Sequence, residues 1–103
     1  MNGLRNVWRE EVNFRIEVAI ATAVIGGGIY LSFTKLEWAF IIISICAVLA
    51  TEIVNTAIED LCNKIEPNTD SIVGKIKDMM AGVVLLVCTT SAVIGVMVIT
   101  NHL

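Results

Sequence analysis

The sequence predicts an all-α membrane protein: an N-terminal amphipathic surface helix followed by three transmembrane helices, with the N-terminus inside and the C-terminus outside. Three observations predict it. The composition is too apolar for a soluble chain of this length, the apolar residues gather in three stretches, and the positive charges fall almost wholly on one side of those stretches. Of the 103 residues, 56% are hydrophobic and 17% charged, with a mean hydropathy of +0.82, whereas a soluble domain carries about 25% charged residues. A core this small cannot hide so much apolar side chain, so lipid must solvate much of the surface. The formal net charge of −3 points to no strongly charged partner. Nucleic acid is excluded as well, because there is no basic block and no interleaving of basic with aromatic residues. Repeats, low-complexity segments and linkers are absent, so residues 1–103 read as one domain.

The elements follow in order. Residues 1–16 carry Leu4, Val7, Trp8 and Phe14 at roughly helical spacing with charges between them. That pattern predicts a helix lying in the membrane interface with Trp8 at headgroup depth. The segment has no apolar h-region or cleavage site, so a cleaved signal peptide is not expected. Membrane helices are expected over 17–34, 37–64 and 71–101, around apolar stretches at Val18 to Phe33, Trp38 to Ala50 and Met79 to Thr100. The first two stretches are short against the ~20 residues that spanning needs, so they must borrow flanking turns. Gly26, Gly27 and Gly28 fall deep in the first span, where close helix packing or a kink is expected. No strand-to-helix context surrounds them, which rules out a phosphate-loop fingerprint.

Charge fixes the orientation. Arg5, Arg9, Arg15, Lys64, Lys75 and Lys77 lie on one side of the spans and Lys35 alone on the other. Positive residues stay inside, so the first side faces the cytoplasm. The three cysteines, Cys46, Cys62 and Cys88, show no metal or redox spacing and read as small buried hydrophobes that stay reduced. His102 is the only histidine and has no ligand partner nearby in sequence.

The informative stretch runs from Thr51 to Asn63. With Glu52 as zero and 100° per residue, Asn55 lies near −60°, Glu59 near −20°, Asn63 near +20° and Thr56 near +40°, all roughly on one face. Ile53, Val54, Ala57, Ile58 and Leu61 cover the remainder. Depth separates the members of this stripe. Glu52 lies about 21 Å along the helix from Trp38, which puts it inside the cytoplasmic third of the hydrocarbon, while Glu59 reaches the interface. A carboxylate at the depth of Glu52 costs at least about 2.5 kcal/mol unless paired, protonated or hydrated. A solvated helix end explains Glu59, Asp60 and Asn63; a polar contact between helices of an oligomer is the simpler alternative for Glu52 and Asn55. Beyond a turn expected over 66–70, with a helix start at Asp70 or Ser71, Lys77 and Asp78 stand at the entrance to the third span. Glu11, Glu52, Glu59, Lys77 and Asp78 are thus expected at one depth. Several carboxylates beside a lysine suit Mg²⁺ and a phosphate-rich ligand.

The run Glu52-Ile53-Val54-Asn55-Thr56-Ala57-Ile58-Glu59, followed by Gly74-Lys75-Ile76-Lys77-Asp78, resembles the prokaryotic integral-membrane diacylglycerol kinase and undecaprenol kinase family. Gly3-Leu4-Arg5 and Glu11-Val12-Asn13-Phe14-Arg15 are similar to that family's surface helix, so the likeness covers nearly the whole chain. The resemblance implies a homotrimer in the bacterial cytoplasmic (inner) membrane, with active sites formed between subunits. It implies phosphorylation of a lipid hydroxyl by ATP with Mg²⁺, the lipid being diacylglycerol or undecaprenol. It makes Glu52 the general base, gives the metal to Glu11 and Glu59, and has Asn55, Lys77 and Asp78 position lipid and nucleotide, with Asn63 on the nucleotide side. The sequence departs from the family in three ways. Asn63 stands where the family often has Asp, the segment before Gly3 is short, and Met80 and Val83 replace smaller residues. Two other classes compete with the kinase: a transporter using Glu52 as an intramembrane titrating group, and a scaffold without activity.

Overall fold

A computed structural model of the chain describes residues 2–65 and 71–103. It has four helices, α1 (Asn2–Glu10), α2 (Val12–Leu31), α3 (Lys35–Ile65) and α4 (Ser71–Thr100), and no strand among the described residues. The turn expected over 66–70 lies outside the described residues. The last three helices are long and apolar enough to cross a bilayer. At 1.5 Å per residue α2 rises about 30 Å, the thickness of the hydrocarbon, and α3 and α4 about 45 Å each.

The N-terminal helix is shorter than expected. Glu11 takes an extended backbone (φ −112°, ψ 107°), and the helix resumes at Val12. Residues 12–16 therefore form the first turn of the membrane helix instead of the tail of a surface helix. The bend lets Val7 and Phe14 both be buried. It also gives the short first apolar stretch the extra turn it needs to span. Leu4 and Trp8 remain 47% exposed.

At the other end of α2 the chain reverses within three residues. Ser32 adopts the left-handed conformation (φ 60°), and Phe33 N–H donates to the Gly28 carbonyl at 3.0 Å, closing the helix end. The next helix starts at Lys35, two residues before the expected position, because Thr34 and Glu37 cap it reciprocally. Thr34 N–H donates to Glu37 Oε1 at 2.9 Å and Glu37 N–H donates to Thr34 Oγ1 at 3.2 Å. Only one of the three glycines carries the expected close contact. A Cβ on Gly28 would lie 2.7 Å from both Phe33 and Trp38, whereas Gly26 and Gly27 have nothing within 4 Å. The triplet also lies in the last two turns of α2, not deep within it.

The core gathers at this turn. Phe33, Ile41 and Val98 are buried there, with Val24, Trp38, Ile45 and Ile94 packed around them. The end of α4 is fastened to the start of α3: Asn101 Nδ2 donates to Glu37 Oε2 at 3.3 Å, and His102 Nε2 lies 2.8 Å from Glu37 Oε1. The His102 ring also lies against Phe33, centroids 5.3 Å apart. His102 thus has a partner far away in sequence. Midway along the pair, the Ser91 hydroxyl donates to the Ser44 carbonyl at 3.4 Å. All three cysteines are free; the expectation of burial holds for Cys62, while Cys46 is exposed and Cys88 half-buried.

Much of the helix surface is bare. Only 11%, 17% and 6% of residues in the most apolar windows of α2, α3 and α4 are buried, so lipid or further protein must cover the rest.

Candidate active site

The polar stripe of α3 runs away from the turn end, and its members are exposed toward Asn63. Glu52 and Thr56 are buried at 9% and 6% exposure, Asn55 is half-buried, and Glu59 and Asn63 are exposed. Helical periodicity alone puts these side chains on one face. The first members are near α2, whose Glu17 lies within electrostatic reach of Glu52.

Two groups form around the stripe, and Glu59 belongs to both. On the α2 side, Glu11 at the bend and Glu59 one helical stripe further on both lie within electrostatic reach of Glu52. Glu17, in the second turn of α2, faces Glu52 as well. One of its carboxylate oxygens is buried without a partner among the described residues. On the α4 side, Asn55, Glu59 and Lys77 line a cavity of about 280 Å³ whose floor is apolar, made by Ile58, Met80, Ala81 and Val84. Here Lys77 Nζ donates to Asn63 Oδ1 at 2.9 Å. Asp78 is exposed and lines neither this cavity nor the groove described below. Of the five residues expected at one depth, Glu11 and Glu59 lie within electrostatic reach of Glu52, Lys77 shares a cavity with Glu59, and Asp78 lines neither cavity nor groove. Met80 enters the cavity wall, while Val83 faces outward, 43% exposed.

Glu17 is the residue that sequence reasoning missed. The first apolar stretch begins at Val18, so Glu17 stood as the first residue of the helix expected over 17–34 and drew no role. Once α2 begins at Val12, the same glutamate lies inside the span, where an ionisable group marks function. It also heads an apolar groove of about 450 Å³ between α2, α3 and α4, which passes Ser44 and Cys88 and ends near Ile99.

No group of three or more acidic, histidine or cysteine side chains converges closely enough to hold a metal among the described residues. Glu11 and Glu59 nonetheless fit Mg²⁺ chemically, since that ion is commonly held by one or two carboxylates completed by substrate phosphates and water. Glu11, Glu17 and Glu59 each repel the Glu52 carboxylate, a repulsion that a bound cation would relieve.

A half-buried glutamate stands at one end of an apolar groove, near the buried Glu52. It sits in a set of three helices long and apolar enough to cross a membrane, which is the architecture of a membrane protein with acidic side chains at the level of its spans. Known proteins give the particular family. Residues 1–99 match the family of prokaryotic diacylglycerol kinases. The chain is 31% identical over 97 residues to the undecaprenol kinase of Bacillus subtilis (strain 168), covering 91% of this chain and 79% of that protein. It is 30% identical over 96 residues to the diacylglycerol kinase of Haemophilus influenzae, covering 92% and 81%. To the diacylglycerol kinase of Escherichia coli (strain K12) it is 30% identical over 101 residues, covering 97% and 82%. The chain belongs to the prokaryotic diacylglycerol kinase family and is a lipid kinase. The transporter and scaffold readings give way to that assignment.

Proposed function

We propose that this kinase transfers the γ-phosphoryl group of ATP, with Mg²⁺, to the hydroxyl of diacylglycerol or undecaprenol at the cytoplasmic face of the bacterial inner membrane. The observation that carries the reading is Glu52: a buried carboxylate at membrane depth, within electrostatic reach of Glu11 and Glu59. Near it, at Glu17, the apolar groove begins. A lipid alcohol lying along the bilayer brings its hydroxyl to this level without leaving the hydrocarbon. Glu52 takes the hydroxyl proton as the oxygen bonds to the γ-phosphorus and the bond to the ADP oxygen breaks. Bound Mg²⁺ would neutralise charge on the phosphates, held by Glu11 and Glu59. Asn55, Lys77 and Asp78 orient lipid and nucleotide so that attacking and leaving oxygens stand in line. Such a reaction needs charge neutralisation and placement more than covalent chemistry, so the lack of a phosphate-binding glycine loop is no obstacle.

The subunit is proposed to work as a homotrimer with shared sites, its N-terminal helix in the cytoplasmic interface. Six of the seven basic residues on the carboxylate side support that orientation. The bare flanks of the helices support the assembly.

The two lipid substrates stand level, since identity to relatives of either name is almost equal. Incubating the purified chain in bilayers with labelled ATP and each lipid decides both class and substrate. We expect one lipid to be phosphorylated in a Mg²⁺-dependent manner. A folded, assembled protein that labels neither would overturn the proposal.

A further inference from the structure

The groove between α2, α3 and α4 is not wholly apolar. Among the described residues two buried side-chain polar atoms have no partner, Glu17 Oε2 and Ser44 Oγ, and both residues line this groove. Glu17 lies within electrostatic reach of Glu52, so a lipid hydroxyl at the reacting level can meet it. Ser44 lies further along. It is 7% exposed, and Ile41, Ile45, Val48 and Ala92 share its stretch of wall. Ser91, across on α4, donates its own hydroxyl hydrogen to the Ser44 carbonyl at 3.4 Å, which leaves the Ser44 hydroxyl hydrogen unused. A buried donor that has lost its water needs an acceptor, and in a groove a ligand can supply one. Methylene groups and isoprene units carry no lone pair, so hydrocarbon alone leaves the hydroxyl unpaired.

Resting on the kinase reading above, we propose that Ser44 is a specificity-determining residue that selects a lipid alcohol with an ester carbonyl close to its hydroxyl. Of the two candidate lipids only diacylglycerol has one, since undecaprenol is hydrocarbon beyond its hydroxyl. The spacing fits. Ser44 stands about 12 Å before Glu52 along α3, and the Glu52 side chain leans toward the helix start and closes part of that gap. An extended diacylglycerol spans roughly 6 Å from its free hydroxyl to the farther ester carbonyl, and a hydrogen bond of about 2.8 Å at each end completes the bridge. With the hydroxyl on Glu52, the Ser44 hydroxyl donates to that carbonyl, and the acyl chain continues past Gly95 toward Ile99. Ser44 touches no reacting atom; it sets where along the groove the lipid comes to rest. Sequence identity leaves the two lipids level, and this contact separates them.

The test uses the full chain in bilayers of ether-linked phospholipid, so that no host ester competes for the groove. Initial rates at saturating Mg-ATP are measured against diacylglycerol, undecaprenol, and the dialkylglycerol of equal chain length, which keeps the hydroxyl but has no carbonyl. The parent should favour the ester over the ether by about fivefold in kcat/KM, the usual effect of one neutral hydrogen bond, and should favour diacylglycerol over undecaprenol. Ser44→Ala should bring the ester down to the level of the ether and leave the ether and undecaprenol within about twofold of the parent. Ser91→Ala should keep the ester preference. A parent with no ester preference, a parent that prefers undecaprenol, or a preference that survives in Ser44→Ala overturns the proposal. Loss of the preference in Ser91→Ala as well would assign it to the groove wall at large and overturns it too. Equal phosphorylation of ester and ether refutes the contact and leaves the kinase reading standing. The thermal unfolding midpoint with each lipid gives a second readout that needs no turnover. A chain that phosphorylates none of the three lipids refutes the kinase reading. An ester-over-ether gap in the midpoint shift, absent in Ser44→Ala, then still supports the contact, and no gap refutes both.

Discussion

Glu52 and Glu59 lie two turns apart on one helix, and their surroundings divide their work. The first is buried and the second exposed, and in the proposed reaction the exposed one meets metal and nucleotide. Glu52→Gln should therefore reduce turnover by at least about 10²-fold, the usual worth of a general base, with helix content and assembled mass unchanged. Glu59→Gln should shift the Mg²⁺ titration to higher concentration and recover much of its rate when Mg²⁺ is in excess. Equal and mild losses from both substitutions would contradict the division. At this scale much was legible in the sequence. Glu52 stood out because its distance from Trp38 puts a charge where lipid should be, and Glu59 because it continued the same stripe. Glu17 was not legible, because its meaning depends on where α2 begins. That is set by a bend at Glu11, for which the sequence carries no proline or glycine signal. The split between Asp78 and its neighbours was equally hidden: adjacent helical residues point about 100° apart, and only packing decides which faces the cavity.

Between elements, the turn from α2 to α3 carries the most specific local chemistry. Thr34→Ala removes one half of a reciprocal cap and should cost about 1 kcal/mol, read as a lowered unfolding midpoint in detergent. Ser32 holds a left-handed backbone that glycine adopts without penalty. Ser32→Gly should therefore stabilise by about 0.5–1 kcal/mol, less than the full αL cost because glycine also loosens the unfolded chain. A fall in midpoint would show that the serine side chain contributes something its backbone does not reveal. The glycines give a matched pair. Gly28→Ala forces a methyl onto Phe33 and Trp38 and should cost about 1–3 kcal/mol, while Gly27→Ala meets nothing and should cost little or be favourable. Similar behaviour of the two variants would rule out the packing described here. The cap was readable from Thr34-Lys35-Leu36-Glu37 as a local four-residue signature, and it moves the helix start two residues ahead of the hydropathy boundary. The link from Glu37 to His102 spans 65 residues. No local pattern predicts it, because it exists only when α4 returns to the level of the turn.

Across the whole molecule, composition and three apolar stretches sufficed to give an all-α membrane protein, since lipid demands closed backbone hydrogen bonding and helices supply it. They could not give the assembly, for apolar side chains facing lipid and those facing another subunit look alike. The single chain nevertheless leaves most of its helix surface uncovered: its main hydrophobic cluster lies at the turn end, and few residues of the three long helices are buried. Native mass measurement should find three copies. If one subunit supplies Glu52 and another Glu11 or Lys77, co-assembling Glu52→Gln with Lys77→Met should restore activity that neither has alone. Assembled mixtures that stay inactive would place a complete site within each subunit.

The bond from Asn101 and His102 to Glu37 makes the last residues of the chain a fastening, distant from every carboxylate of the α2-side group. Replacing Asn101 and His102 by alanine leaves the proposed catalytic residues in place and unties the helix pair at its far end. Heat tolerance and chemistry would then part company: the substituted enzyme works when cold and fails early on warming.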